Sequence, residues 1–271
     1  MQEIKRYRVR GIPGAVSRVS LRGRTIDFWA PEGGSDHLLV AHDGQNIFDK
    51  KTATFISTWK LAHTSTRIAH EQKKVAPLII GVFHSSNKQD PFGRAKDLCP
   101  EDPFLMGIRA SEPSEITSQD LRGNAYLETI FDEIVPDIAM RTHSQVNPNK
   151  TAMIGSSLGG LATLYSAIKH SDKFQTALAL SPHWTLAGEP LVDWIIPRLP
   201  NDRKFRIWMS RGTKGLDKHY ESLQERANRL MIELGWTTSQ FKSQVFEGYA
   251  HNERSWAKSV SEPLRFWLEG A

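Results

Sequence analysis

The stretch that decides the fold lies in the middle of the chain, where residues 151–165 read TAMIGSSLGGLATLY. The apolar run 151–154 has the length and composition of a buried strand, and the residues after the last glycine are typical of a helix. Between them lies Gly155-Ser156-Ser157-Leu158-Gly159, a G-x-S-x-G pattern. A strand, this pattern and a helix in direct succession predict a nucleophile elbow, a sharp turn that exposes a serine hydroxyl at the end of a strand.

The spacing of the glycines distinguishes between the two adjacent serines. In such a tight turn, the residues two before and two after the nucleophile need minimal side chains, which Gly155 and Gly159 provide around Ser157. Centring the turn on Ser156 would place isoleucine and leucine at those positions. We therefore predict that Ser157 is the nucleophile. The alternative is an ordinary glycine–serine turn before a helix.

Further apolar runs of strand length occur on both sides of the elbow. The predicted strands are residues 16–21, 25–30, 37–42, 78–83, 151–155, 177–181, 205–210 and 241–246. The first two flank Gly23 and indicate an antiparallel hairpin. The later runs are continuously apolar, as in strands buried on both faces of a parallel sheet, and stretches with helical spacing separate them. The sequence predicts an α/β fold in one domain, residues 1–271, with an eight-stranded mostly parallel sheet and helices on both faces.

One segment departs from this alternation. Residues 84–124 contain four prolines and many polar side chains but little periodicity. A long irregular insertion in a compact α/β domain is usually either functional or disordered. We expect it to be an insertion loop that covers the site.

A serine hydroxyl is a weak nucleophile unless a base removes its proton, so a histidine and an acid are required. In this architecture the order along the chain is serine, acid, histidine. His251 follows the last predicted strand, and Asn252 beside it is expected to cap the next helix. Asp217 follows the preceding strand and is the predicted triad acid. The alternative is that Asp217 is the N-cap of a helix, in which case Glu221 or Glu247 would be the acid.

Two backbone N–H groups are expected to stabilise a tetrahedral oxyanion. One is that of Leu158, directly after the nucleophile. The other is that of Gln45, in the loop after the strand 37–42, where Gly44 would permit the required turn. The alternative for this loop is a plain strand-to-helix turn.

The remaining candidates carry less information. His183 and Trp184 follow a predicted strand and either line the substrate pocket or, for Trp184, pack in the core. His42 and Asp43 lack a third ligand at metal-binding spacing, so no metal site is predicted.

Taken together, the motifs resemble those of the putative-esterase (esterase D-like) family of α/β-hydrolases. That family includes feruloyl esterases, siderophore esterases, S-formylglutathione hydrolases and mycolyltransferases. The resemblance implies an α/β-hydrolase fold, a triad of Ser157, Asp217 and His251, and an oxyanion hole at Gln45 and Leu158. The motifs that carry it are HDGQNIFD at 42–49, GSSLGG at 155–160, SPHW at 181–184, GT at 212–213, LD at 216–217 and HNE at 251–253.

These observations predict a serine hydrolase that cleaves a small-molecule carboxylic ester through an acyl-enzyme and needs no cofactor. The same residues would serve an acyltransferase that passes the acyl group to a sugar or an alcohol. A non-catalytic binding protein of the same fold is a further alternative. The sequence leaves the acyl group, the alcohol and the oligomeric state open.

Composition and charge exclude other classes of function. The 271 residues include 35 lysines and arginines against 30 acidic residues, and the excess lies within residues 1–30. A nucleic-acid-binding protein would need a basic stripe over a binding face, so no nucleic-acid partner is expected.

Cys99 is the single cysteine, which excludes an internal disulfide. The first residues lack the apolar stretch of a signal peptide and no long apolar run follows, so we expect a cytoplasmic protein without a membrane partner.

Overall fold

A computed structural model describes residues 1–202 and 204–270. Nine strands in this part of the chain form one sheet, in the order β1-β2-β3-β5-β4-β6-β7-β8-β9. The strands β1, β2, β3 and β5 pair antiparallel, and all pairs from β5 to β9 are parallel. The strands are β1 (Gln2–Tyr7), β2 (Val16–Leu21), β3 (Arg24–Trp29), β4 (Leu38–Ala41), β5 (Leu78–Val82), β6 (Thr151–Ser156), β7 (Thr176–Leu180), β8 (Arg206–Lys214) and β9 (Phe241–Ala250).

The predicted fold class is confirmed, and each of the eight predicted strands is present. The sheet nevertheless has nine strands, so the predicted count of eight is wrong. The additional strand is β1, which lies at one edge of the sheet. Its sequence, QEIKRY, has five exposed positions out of six, so it lacks the hydrophobic pattern from which a strand could be predicted. The backbone hydrogen bonds to β2 hold it in place. Its exposed Lys5 and Arg6 give this open edge a positive charge, which discourages pairing with another chain.

Helices cover both faces of the sheet, as predicted. Buried residues of α4 to α8 share one core cluster with one face of the sheet, and those of α1, α9 and α10 share the other. The helices are α1 (Leu61–Glu71), α2 (Gly93–Leu98), α3 (Glu101–Leu105), α4 (Gly123–Glu128), α5 (Val135–Arg141), α6 (Leu158–Lys169), α7 (Glu189–Ile195), α8 (Glu221–Glu233), α9 (Glu253–Ser259) and α10 (Ser261–Gly270). A π-helical stretch, Thr129–Ile134, joins α4 to α5 just before Pro136, which has no N–H for an ordinary helical bond.

The segment 84–124, predicted to be irregular, contains α2, α3 and the 3-10 turn Ser118–Asp120. The two helices have six and five residues. Elements this short complete fewer than two turns, so they cannot display an amphipathic period in the sequence.

The parallel strands bring their carboxyl ends to one edge of the sheet, where ligands bind in folds of this type. The loops after β4, β6, β8 and β9 all start from this edge. The pairing of β8 with β9 continues past an irregularity to Lys214 opposite Ala250. The residues that follow these two strand ends are therefore held side by side.

Candidate active site

The turn between β6 and α6 has the geometry of a nucleophile elbow. Ser157 has φ 57° and ψ −123°, a conformation that is strained for a residue with a side chain. A Cβ on Gly155 would lie 2.2 Å from the carbonyl oxygen of Gly159, so glycine is required at that position. A Cβ on Gly159 would lie 3.3 Å from the Cβ of His42, which is also a tight contact. Ser157 is partly exposed at the tip of this turn, whereas Ser156 is buried.

The loops after β8 and β9 bring Asp217 and His251 into contact. Oδ1 of Asp217 lies 2.6 Å from Nδ1 of His251. Oδ2 of the same carboxylate accepts hydrogen bonds from the backbone N–H of Gly212 at 2.6 Å and from the hydroxyl of Ser181 at 2.9 Å. Asp217 is 1% exposed. A fully buried carboxylate with these partners holds the imidazole in one orientation and favours the tautomer that carries the proton on Nδ1.

The sequence also suggested helix-capping roles for Asp217 and Asn252 and two alternative acids, Glu221 and Glu247. The N-cap position of α8 is Tyr220, and the carboxylate of Asp217 is directed elsewhere, as described above. Asn252 caps α9, because its side chain accepts a hydrogen bond from the N–H of Ser255 at 3.0 Å. Glu221 is exposed and paired with Arg211, while Glu247 is exposed on β9.

The loop after β4 forms a single 3-10 turn, Gly44–Asn46. The unusual backbone conformation occurs at Asp43, with φ 53°, and not at Gly44 as the sequence suggested. Gly44 is instead needed for packing, because a Cβ there would lie 2.3 Å from the carbonyl carbon of Gly81. Gln45 in this turn and Leu158 in the first turn of α6 both lie where N–H groups have no acceptor within the helix. Such groups are available to an oxyanion.

A cavity of about 230 Å³ lies in front of the elbow. Ser157, His251 and Gln45 all contribute to its wall. The further lining residues are Asp43, Asn46, Thr54, Phe55, His84, Arg94, Ser156, Glu253 and Trp256. The structure thus collects the predicted nucleophile, base and one oxyanion residue around one space.

A profile of the family described as putative esterase matches residues 22–266. The chain belongs to the putative esterase family. Membership of this family identifies the protein as an α/β-hydrolase that cleaves carboxylic esters. A relative at the sequence level is the uncharacterized protein YbbA of Bacillus subtilis (strain 168). It is 23% identical over 268 residues, covering 95% of this chain and 97% of the relative.

Solved structures similar to this esterase include a siderophore hydrolase and an enterobactin esterase. The siderophore hydrolase EstA from Aspergillus nidulans gives a TM-score of 0.66 at 15% identity, over 92% of this chain and 93% of EstA. The enterobactin esterase FES from Shigella flexneri gives a TM-score of 0.64 at 15% identity, over 99% of this chain. The esterase spans only 59% of the length of FES. These similarities show a shared fold.

The two residues predicted to contact substrate occupy different positions in this esterase. Trp184 is fully buried, and its indole N–H donates to Oε1 of Gln224 at 2.9 Å, so it occupies the core position that the sequence left open. His183 is partly exposed, and its backbone N–H donates to the carbonyl of Ser157 at 3.2 Å. Its Nδ1 lies 2.5 Å from the hydroxyl of Tyr220, whose ring packs edge-on against His251.

An ion pair in the cavity wall was not predicted. Arg94, at the start of α2, donates from Nε and Nη2 to the two carboxylate oxygens of Asp43, at 2.8 and 2.7 Å. Burial by itself would raise the pKa of Asp43, but the attraction and hydrogen bonds of the guanidinium outweigh it and lower that pKa. Asp43 could be recognised in the sequence as part of the motif HDGQNIFD at 42–49. Arg94 lies in the segment 84–124, where no motif or periodicity identifies it as a partner.

Glu253, the first residue of α9, is a further wall residue that sequence reasoning missed. It is 6% exposed, and its Oε1 lies 3.4 Å from the amide nitrogen of Asn46. Burial raises the pKa of this carboxyl, and the nearby negative charge of Asp43 adds to the effect. The residue lies within the HNE motif, two positions after His251.

His42, directly after β4, is expected to make the stability of the esterase dependent on pH. It is fully buried, its Nδ1 lies 2.8 Å from the hydroxyl of Tyr126, and burial lowers its pKa from 6.5 to about 4. The unfolded chain therefore binds a proton at a pH where the folded chain does not. The stabilisation from neutral burial is complete above pH 6.5 and is lost as the pH falls towards 4.

We expect the free energy of unfolding to fall by about 2 kcal/mol between pH 7 and pH 5 on account of His42. Urea titrations at these two pH values would measure it. His183 contributes in the same direction, because burial lowers its pKa to about 4 as well. The variant His42→Asn should be less stable at pH 7 but show a shallower fall. An unchanged fall in this variant would assign the effect to other groups.

The described residues include neither a membrane-spanning helix nor a cluster of metal ligands. Within 1–202 and 204–270, no helix is long and apolar enough to cross a membrane. No group of three or more histidine, cysteine, aspartate or glutamate side chains in that part of the chain is placed to hold a metal ion.

Proposed function

We propose that this esterase hydrolyses its substrate through an acyl-enzyme on Ser157, with His251 as general base and acid and Asp217 as the triad acid. The observation that carries the proposal is the 2.6 Å contact between Asp217 and Nδ1 of His251, at the wall of the same cavity as Ser157. A base oriented by a buried carboxylate beside a serine on a strained turn is the arrangement that serine hydrolysis requires.

The cycle follows from the roles of these groups. Nε2 of His251 accepts the proton of the Ser157 hydroxyl as its oxygen attacks the ester carbonyl. The N–H groups of Leu158 and Gln45 stabilise the negative charge on the tetrahedral carbonyl oxygen. The intermediate collapses, and the alcohol leaves with the proton from His251. Water then attacks the acyl-enzyme by the same steps and releases the carboxylic acid.

We further propose that the segment 84–124 shapes the entrance for the substrate. Arg94 from this segment lies in the cavity wall, which supports the proposal. The same segment also lines an apolar pocket through Cys99, Phe104 and Ile116, together with Leu186, which lies three residues after His183. His183 remains our candidate for a substrate contact, with Trp184 supporting it from the core. Similarity to FES and EstA makes siderophore-type esters reasonable members of a substrate panel.

A fluorophosphonate reaction tests the mechanism directly. These reagents phosphonylate activated serines, and we expect a single adduct with about one equivalent incorporated. Tryptic digestion would place the adduct on the peptide 151–169, and tandem mass spectrometry would locate it on Ser157. Acid- or urea-unfolded protein is the control and should not react. Absence of labelling in the folded protein, together with no hydrolysis of p-nitrophenyl acetate, would contradict the proposal and favour a non-catalytic binding protein.

The same protein distinguishes hydrolysis from acyl transfer. We expect free carboxylic acid to be the main product when ester turnover is followed with added glycerol or glucose. An acylated sugar or alcohol as the main product would instead identify an acyltransferase that uses the same triad.

A further inference from the structure

The cavity in front of the elbow has one exposed apolar side chain in its wall. Within the part of the chain that the structure describes, Phe55 and Trp256 are the two apolar residues of this wall. Trp256 is buried, and its indole packs edge-on against the ring of His251, with 5.0 Å between the ring centroids. Phe55, in contrast, is 76% exposed. A ligand in the cavity can therefore bury apolar surface chiefly against Phe55.

The backbone at Phe55 is strained. Phe55 and its neighbour Ile56 have φ of 55° and 53°, in the left-handed region that glycine normally occupies. A β-branched residue such as Ile56 is rare in this region. Burial in the core does not explain the conformation, because Ile56 is 77% exposed and Phe55 nearly as much. Backbone strain and exposed apolar side chains are both found preferentially at sites that bind ligands.

Hydrogen bonds hold this stretch of chain, residues 53–57, against the turn that carries Gln45. We call these residues the rim segment. Near its start, the N–H of Thr54 donates to Oδ1 of Asn46 at 2.8 Å. Just after its end, the N–H of the fully buried Trp59 donates to the carbonyl of Asn46 at 3.0 Å. The rim segment is thus fixed at both ends to the residue after the proposed oxyanion donor, Gln45.

We propose that Phe55 is a specificity-determining residue that covers an apolar group of the bound ester, so that this esterase prefers substrates with an apolar group next to the ester bond. The inference rests on the proposed function and names the substrate class of the same site. Contact with such a group removes apolar surface of both partners from water. Because the rim segment is already fixed to the turn, little backbone freedom is lost when the substrate binds.

Matched ester pairs measure this preference. On the alcohol side, the pair is benzyl acetate and methyl acetate, whose leaving alcohols are nearly equal in acidity. On the acyl side, the pair is methyl 3-phenylpropanoate and methyl propanoate. Rates are followed by pH-stat, or by competition against p-nitrophenyl acetate where turnover is slow. We expect the phenyl-bearing ester of at least one pair to exceed its partner by about tenfold or more in kcat/KM.

Variants of two adjacent residues assign the preference to one side chain. Phe55→Ala should reduce the ratio of phenyl-bearing to small ester by about three- to tenfold, because the contact with the aromatic ring is lost. Phe55→Leu keeps an apolar side chain and should give an intermediate ratio. Ile56→Ala is the matched control, since Ile56 is as exposed and has a similar φ but does not line the cavity. Its ratios should equal those of the wild type.

Two results would overturn the inference and leave the proposed function standing. In one, the wild-type protein favours the phenyl-bearing ester in neither pair. In the other, the preference exists but is unchanged in Phe55→Ala, or falls as much in Ile56→Ala. Failure of the proposed function would be recognised separately, by the loss of fluorophosphonate labelling and of all ester turnover. Should Phe55→Ala not fold, Phe55→Leu decides by the same comparison.

Discussion

Replacement of Ser157 by alanine is expected to lower kcat for ester hydrolysis by about 10⁴- to 10⁶-fold, the loss found when serine nucleophiles are removed. Alanine occupies the same strained turn, with φ 57°, but lacks the oxygen that forms the acyl-enzyme. Its stability should be close to that of the wild type, since no hydrophobic contact is removed. Turnover of p-nitrophenyl acetate and thermal unfolding by circular dichroism are the two measurements.

The neighbouring serine is the matched control. Ser156 ends β6, is 2% exposed and does not adopt the positive φ of the elbow. Ser156→Ala should therefore retain a substantial fraction of the activity. Comparable losses in the two variants, or activity that survives in Ser157→Ala, would show that the elbow has been assigned to the wrong residue.

The second large effect is expected at the proposed triad acid, where Asp217→Asn should lower kcat by about 10⁴-fold. The asparagine oxygen can still accept the hydrogen bonds of Gly212 and Ser181. Its NH₂ group then faces Nδ1 of His251, which must accept. The imidazole proton is displaced to Nε2, where it prevents the histidine from taking the proton of Ser157.

Two controls accompany this prediction: the free energy of unfolding of Asp217→Asn, and variants of the two alternative acids. The buried amide keeps most of the original hydrogen bonds, so the free energy of unfolding should fall by no more than about 1–3 kcal/mol. Glu221→Gln and Glu247→Gln alter exposed carboxylates and should change kcat little. If Asp217→Asn stays within a few-fold of the wild type while either control loses activity, the acid is that other residue.

Much of the sheet could be predicted because burial leaves a pattern in the sequence. The parallel strands β4 to β7 are buried at every position and accordingly appear as uninterrupted apolar runs. Strand β1 escapes prediction because a strand held by backbone hydrogen bonds at an exposed edge carries no such pattern. The helices α2 and α3 escape it because they are too short to show a period.

In the candidate site, features set by neighbouring residues in the sequence could be predicted, whereas contacts between distant residues could not. The elbow is encoded by glycines within five residues, and the order of the other motifs places Asp217 and His251 at the correct strand ends. The contact between Arg94 and Asp43 joins residues far apart in sequence, and the choice between core and pocket for Trp184 depends on which way one side chain faces. Neither is accessible to reasoning from spacing.

The ion pair between Arg94 and Asp43 also limits how this enzyme can be re-engineered. The segment 84–124 is an obvious cassette to exchange between relatives when a new substrate range is sought. A transplanted cassette without an arginine at the right place would leave the 2%-exposed Asp43 as an uncompensated charge, at a cost of about 3–5 kcal/mol. Because Asp43 directly precedes the turn that carries Gln45, the proposed oxyanion donor, the damage would reach the proposed catalytic geometry of any chimera. Positions 43 and 94 must therefore be transplanted together.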